Sequence, residues 1–191
     1  MKIEQAYEGS IERKIYSSDQ IAATIDRLAA RIAADFTGQP LLLLGVLKGA
    51  LFVVADLSRA VGRVSGGPSE ITVDFLCVSS YGNATRSSGE VRVLKDTGEM
   101  VTGRNVVVVE DIIDNGLTLD YLRGLLEERK PAVLRTCVLF DKPYHRQADV
   151  RLDYVGLQCP DEFVVGYGLD YQELFRNLPY LAQLKPWVFS S

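Results

Sequence analysis

Histidine is almost missing from this sequence: His145 is the only one among 191 residues. Cysteine is scarce as well. Cys77, Cys137 and Cys159 sit singly in apolar stretches, with no C-x-x-C spacing and no histidine cluster, which excludes a structural zinc site of the usual kind. An odd cysteine count without a signal-like leader points to a reducing cytoplasm. No apolar run approaches the roughly 18 residues of a membrane span, so no membrane partner is expected. Blocks of basic residues are lacking and the net charge is −4, which argues against a nucleic-acid partner but says nothing about one concave site. Neither G-x-x-x-x-G-K-[ST] nor G-x-G-x-x-G occurs, so a nucleotide-hydrolase loop and a dinucleotide fold are unsupported.

What remains is an ordinary globular composition, 47% hydrophobic and 24% charged. Its length suits one domain, and a chain of this size can bury roughly 70% of its unfolded surface. Ser17 with Gln20 forms a capping box ahead of a helix whose apolar face is Ile21, Ile25, Leu28, Ile32 and Phe36. "LLLLGVLKG" reads as a buried strand ending in a turn, and "ALFVVADLSRAV" as a helix. "EITVDFLCV", "VRVLK", "NVVVVEDI" and "AVLRTCVLF" read as strands, with a helix from about Leu117 to Arg129. Ser79 to Glu90 is the longest loop-like run, and the tail from Leu152 holds short strands and a helical turn near Leu174. Strands alternating with helices predict an α/β fold with a mostly parallel central sheet.

In such a sheet, ligands bind outside the carboxyl ends of the strands. Three apolar strands end in polar residues there: "LKG" at 47–49, "EDIIDNGLT" at 110–118 and "FDKPYHR" at 140–146. In the second, Gly116 permits a tight turn, and free amides at a helix start make an anion nest. The Thr118 hydroxyl and the Asn115 amide add donors, which gives a phosphate-monoester cradle. Glu110 and Asp111 suit a sugar diol or a hydrated magnesium ion. A bland helix cap accounts for Asp114 or Asn115 but leaves Glu110, Asp111 and Thr118 unexplained. Alone, Lys48 and Lys142 read as loop charges, Phe163 as a core aromatic, and His145 as a loop residue without a partner.

"VVVVEDIIDNGLT" resembles the phosphoribosyl-pyrophosphate signature of the type I phosphoribosyltransferases. "LLGVLKGALFVVADLSRA", "DFLCVSSYG", "SSGEV", "LFDKPYHR" and "PDEFVVGYGLDYQELFRNLPY" follow in the order of the hypoxanthine-guanine branch. The resemblance covers nearly the whole chain. It implies that family's fold, with one domain over 1–191 and a small hood from about 1–16 and 152–191. It implies that Glu110 and Asp111 hold the ribose hydroxyls and a magnesium ion, that Asp170 also holds magnesium, and that Asp114, Asn115, Gly116, Leu117 and Thr118 hold the 5′-phosphate. Leu47, Lys48 and Gly49 make the pyrophosphate loop, with a cis Leu47–Lys48 bond. Arg176 reaches the same pyrophosphate, and Arg146 sits on that side. Ser80 and Tyr81 belong to a closing loop, Lys142 and the Val164 backbone read the base edge, and Phe163 stacks on the ring.

The expected activity is magnesium-dependent transfer of phosphoribose to hypoxanthine or guanine by a cytoplasmic homodimer or homotetramer. A xanthine-preferring relative and a non-catalytic regulator are the alternatives. Asp114 is the expected catalytic residue, taking the proton of purine nitrogen 7. Lys142 offers only donors and so favours an exocyclic oxygen over an amine. Asn115 departs from the Thr or Ser usual in the family.

Overall fold

Leu41 to Leu44 and Val106 to Val109 are the two longest uniform apolar runs, and each lies in a strand covered on both faces. The computed structural model describes residues 7–81, 90–98 and 100–189, with backbone alone at residues 8, 79–81, 90 and 91. Strands β2 (Pro40–Leu47) and β5 (Asn105–Ile113) sit side by side at the centre of a six-stranded sheet. Successive side chains in a strand alternate between faces. Leu41, Leu43, Val107 and Val109 therefore join one buried cluster, while Leu42, Leu44, Val106 and Val108 join the other. A strand apolar at every position is what burial on both sides requires.

Helices α1 (Ser18–Asp35) and α2 (Leu51–Arg63) contribute to the first cluster, and α3 (Leu117–Glu127) to the second. The expected capping box is present: Ser17 Oγ accepts from the Gln20 amide at 3.2 Å, and Gln20 Oε1 from the Ser17 amide at 2.9 Å. Ile21, Ile25, Leu28 and Ile32 are buried beneath it, each contributing about 1.5–3 kcal/mol by leaving water. Cys137 and Cys159 are buried and unpaired, and Cys77 is half-buried.

Besides β2 and β5, the sheet comprises β3 (Glu70–Tyr81), β4 (Glu90–Lys95), β6 (Val133–Asp141) and β7 (Tyr154–Gln158). Its order is β4-β3-β2-β5-β6-β7, parallel throughout except where β4 runs back along β3. From β2 the chain crosses to β3 on one side, and from β5 to β6 on the other. The carboxyl ends of β2 and β5 thus flank the topological switch point, where α/β sheets bind ligands.

A second sheet, order β1-β9-β8, joins β1 (Ile11–Tyr16), β8 (Val164–Val165) and β9 (Leu181–Leu184) over its own cluster, which includes Val165, Phe175, Leu178 and Leu184. A four-residue helix, α4 (Pro186–Phe189), follows. This is the expected hood, with one correction: Tyr154–Gln158 belongs to the main sheet, paired in parallel with β6. Tyr154 is fully buried there, so its apolar bulk completes the core. The helical turn expected near Leu174 is not helical. Gln172, Glu173 and Phe175 have left-handed backbone, and Tyr171 and Leu174 close a bridge instead. Ser79 to Tyr81 and Glu90, read as loop ends, belong to β3 and β4; residues 82–89 between them lie outside the described residues.

Candidate active site

At the end of β5, the chain turns polar without leaving the protein interior. Glu110 and Asp111 are each 8% exposed. Burial, and next to it the neighbouring Asp111, hold the Glu110 carboxyl well above its usual range. Burial likewise pushes Asp111 up to about 6, even though its Oδ1 accepts the Ile112 amide at 2.9 Å and Arg176 pulls the other way. Every influence on Glu110 opposes its charge. Two adjacent carboxylates taken from water with so little cationic compensation are costly unless a positive group arrives.

The 47–49 turn off β2 lies directly over this pair. The Leu47–Lys48 peptide is cis, as expected. Gly49 packs so closely on Asp111 that a Cβ there would collide with its carboxylate. No other residue fits this approach. The Lys48 ammonium itself pairs with Glu173 at 2.9 Å on an exposed surface.

Beyond Glu110 and Asp111 the strand gives way to α3 through Gly116, whose φ of +85° only glycine adopts readily. Asn115 Oδ1 accepts the Leu117 amide at 3.0 Å. One amide of the expected anion nest is thus already capped, and the bland reading holds in part for Asn115. Arg146 needs a larger correction. It was placed towards the pyrophosphate, yet it lies behind the 114–118 turn, with Nε donating to the Asp114 carbonyl at 2.9 Å and its guanidinium paired to Asp141. The carboxylate at the end of β6 fixes it there, braced against the phosphate turn.

The hood supplies the opposite wall. Phe163 is 39% exposed; one of its faces stacks on Phe189, centroids 4.7 Å apart, and Tyr171 meets it edge-on. Val164 pairs with Gln183 between β8 and β9. Arg176 reaches Asp170 at 2.7 Å and donates to the Gly168 carbonyl at 2.8 Å, while its Nε is buried without a partner among the described residues. From the end of β6, Lys142 extends between two carboxylates, 3.5 Å from Asp161 and 3.9 Å from Asp114. The backbone of Ser80 and Tyr81 ends β3, but their side chains lie outside the described residues.

These walls enclose two adjoining cavities. One, of about 320 Å³, is lined by Leu47, Glu110, Asn115, Gly116 and Thr118. The other, of about 270 Å³, is lined by Lys142, Phe163, Val164, Asp170 and Arg176. Gly49, Asp111, Ile112 and Asp114 line both. Sequence reasoning missed Asp161, Glu173 and Asp141, each a carboxylate holding a cation of the site. Only the place of Asp161 two residues before Phe163 hinted at it.

A cation fits the buried pair chemically, since Glu110 and Asp111 lack adequate positive compensation. It does not fit a closed protein cage: among the described residues, no three His, Cys, Asp or Glu side chains converge as metal ligands. Asp170 has little left to offer directly, because Oδ1 holds Arg176 and Oδ2 accepts the Glu173 amide at 2.9 Å. That donor set suits magnesium, which takes one or two carboxylates and completes its shell with water and substrate phosphates.

The phosphoribosyl transferase domain matches residues 13–172, and the chain belongs to that family. It is 45% identical over 181 residues, 95% of this chain and 97% of the relative, to the hypoxanthine-guanine phosphoribosyltransferase of Bacillus subtilis (strain 168). The enzyme of the same name from Mycobacterium tuberculosis (strain ATCC 25618 / H37Rv) is 44% identical over 97% of this chain and 92% of its own. Among solved structures, a hypoxanthine phosphoribosyltransferase from Staphylococcus aureus superposes with a TM-score of 0.91 at 38% identity, covering all of both chains. Among the described residues, no helix is long and apolar enough to cross a membrane.

Proposed function

We propose that the protein transfers phosphoribose from 5-phosphoribosyl-1-pyrophosphate to hypoxanthine or guanine, giving IMP or GMP and pyrophosphate. The observation that carries this reading is Asp114, which lines both the cavity of the phosphate turn and the cavity of Lys142 and Phe163. A carboxylate at that junction stands where sugar and base must meet.

Residues 114–118 hold the 5′-phosphate by the amides of the turn and the Thr118 hydroxyl, and the ribose hydroxyls fall to Glu110 and Asp111. Leu47, Lys48 and Gly49 cradle the pyrophosphate through their backbone, and Arg176 reaches the same pyrophosphate. In the base cavity, Phe163 presents the face not taken by Phe189, Lys142 donates to the 6-oxo group, and the Val164 backbone meets the far edge. Asp114 accepts the proton of nitrogen 7 as the base bonds to ribose carbon 1 and pyrophosphate leaves with the electron pair. Ser80 and Tyr81, at the end of β3, lead into the segment that keeps water from the sugar. Glu110 and Asp111, with Asp170 nearby, would hold magnesium, which would supply positive charge to offset that of the leaving group. Arg146 supports the phosphate turn from behind. The same reading carries one catalytic domain over 1–191, acting as a homodimer or homotetramer in the cytoplasm, supported by family resemblance.

The test is turnover with the sugar pyrophosphate, magnesium and each of hypoxanthine, guanine, xanthine and adenine. Hypoxanthine and guanine should be used and adenine refused. Adenine turned over as fast as hypoxanthine would overturn the role of Lys142, and turnover of none would overturn the activity.

A further inference from the structure

Lys142 Nζ has two anionic neighbours, and they ask different things of it. Asp114 Oδ2 is 3.9 Å away and is the acceptor the reaction needs; Asp161 Oδ1 is closer, at 3.5 Å. The same Asp161 oxygen also meets His145 Nε2 at 2.9 Å. The Lys142 side chain is only 14% exposed, whereas Asp114 and Asp161 are 47% and 44% exposed. Water therefore screens the carboxylates more than the ammonium between them. The other charges around this corner are occupied: Asp141 holds Arg146, and Glu162 accepts from Gln183 at 2.8 Å. Nothing else among these groups competes for Lys142.

We propose that Asp161 is a positioning residue for the base pocket: it shares the Lys142 ammonium with Asp114 and so keeps that pair from tightening, and His145 braces Asp161 through the same oxygen. A Lys142–Asp114 pair closed below its present 3.9 Å would tie up at once the donor that reads the 6-oxo group and the acceptor that takes the proton. Asp161 keeps that pair loose. His145 lies on the outer side of Asp161, 60% exposed. Its contact with Oδ1 fixes the carboxylate that faces Lys142.

This rests on Lys142 reading the base, and the experiment separates the two ideas. Steady-state constants for hypoxanthine and for the sugar pyrophosphate are measured in the wild type, Asp161→Asn, Lys142→Ala, the double variant, His145→Ala and His145→Gln. Asp161→Asn should raise the KM for hypoxanthine roughly three- to fivefold and lower kcat, with the KM for the sugar pyrophosphate unchanged. In the Lys142→Ala background it should add nothing. His145→Ala should raise the KM for hypoxanthine about twofold, and His145→Gln, a neutral donor, should restore it. Asp161→Asn kinetics equal to wild type, with Lys142→Ala impaired, would overturn the positioning role and leave the reading of Lys142 standing. An unimpaired Lys142→Ala would overturn both. His145→Ala kinetics equal to wild type would overturn the bracing.

Discussion

The two walls of the site handle charge in opposite ways. At the end of β5, Glu110 and Asp111 are buried side by side, and every influence on Glu110 disfavours its charge. In the hood, charge is already neutralised in a chain: Asp170 and Glu173 hold Arg176, and Glu173 also holds Lys48. The first wall therefore waits for a cation, while the second must release internal partners before it can grip an anion. A substrate that arrives with magnesium and a pyrophosphate meets both needs together.

The comparison breaks most severely where the walls meet. Asp114→Asn keeps the shape of the junction and removes its basicity, so kcat should fall on the order of 10²–10⁴-fold. Binding of the sugar pyrophosphate, followed by calorimetry, should persist because the turn amides are untouched. Equal turnover would reduce Asp114 to a helix cap.

Gly49→Ala forces a methyl group into the Asp111 carboxylate. Overpacking of this kind costs about 1–3 kcal/mol, read as a Tm drop of about 2–4 °C for each kcal/mol in a chain of this length. Asp111→Ala in the same chain should recover most of it, since the clash partner is gone.

The waiting wall has a pH signature. Asp111 sits at about 6 against an ordinary 3.8, raised by burial. A raised carboxyl contributes stability below its ordinary value and loses that contribution as pH climbs through about 6. Ligand-free Asp111→Asn should thus gain on the wild type towards pH 8, by up to about 3 kcal/mol, and show little gain near pH 4. Thermal melts at the two pH values check it, and magnesium with the sugar pyrophosphate should erase the wild-type deficit.

The self-neutralised wall gives the smallest effect. Glu173→Gln frees Lys48 and loosens Arg176, so pyrophosphate should bind tighter by roughly two- to fivefold. A weaker Kd would show that Glu173 orders the wall rather than competing with the ligand.

The same contrast explains what was legible in the sequence. The β5 wall is contiguous: strand, carboxylates, glycine turn and helix follow one another from Asn105 to Thr118, so order along the chain gives order in space. The alternation of Leu41–Leu44 and Val106–Val109 between two cores follows from strand geometry alone. The hood is different, and so are the contacts that cross the site. Arg146 braces the Asp114 carbonyl 32 residues back, and Lys48 turns to Glu173, 125 residues on. Long-range contacts leave no local periodicity. Neither does the left-handed backbone at Gln172, Glu173 and Phe175, where non-glycine residues adopt a conformation that their types do not announce.

The two buried thiols give the molecule a clock of its own. Burial pushes Cys137 up to about 12 and Cys159 up to about 11, so neither offers appreciable thiolate to an alkylating reagent while the protein is closed. Cys137 lies in the middle of β6, deep in the larger core, and is reached only when the sheet itself comes apart. Cys159 follows β7, its amide bonded to the Asp141 carbonyl at 2.7 Å, within the corner shared by Lys142, Asp114 and Asp161. Its labelling rate times the breathing of the base pocket, and that of Cys137 times global unfolding. The ratio of the two rates tells whether a bound purine quiets the pocket alone or the whole sheet.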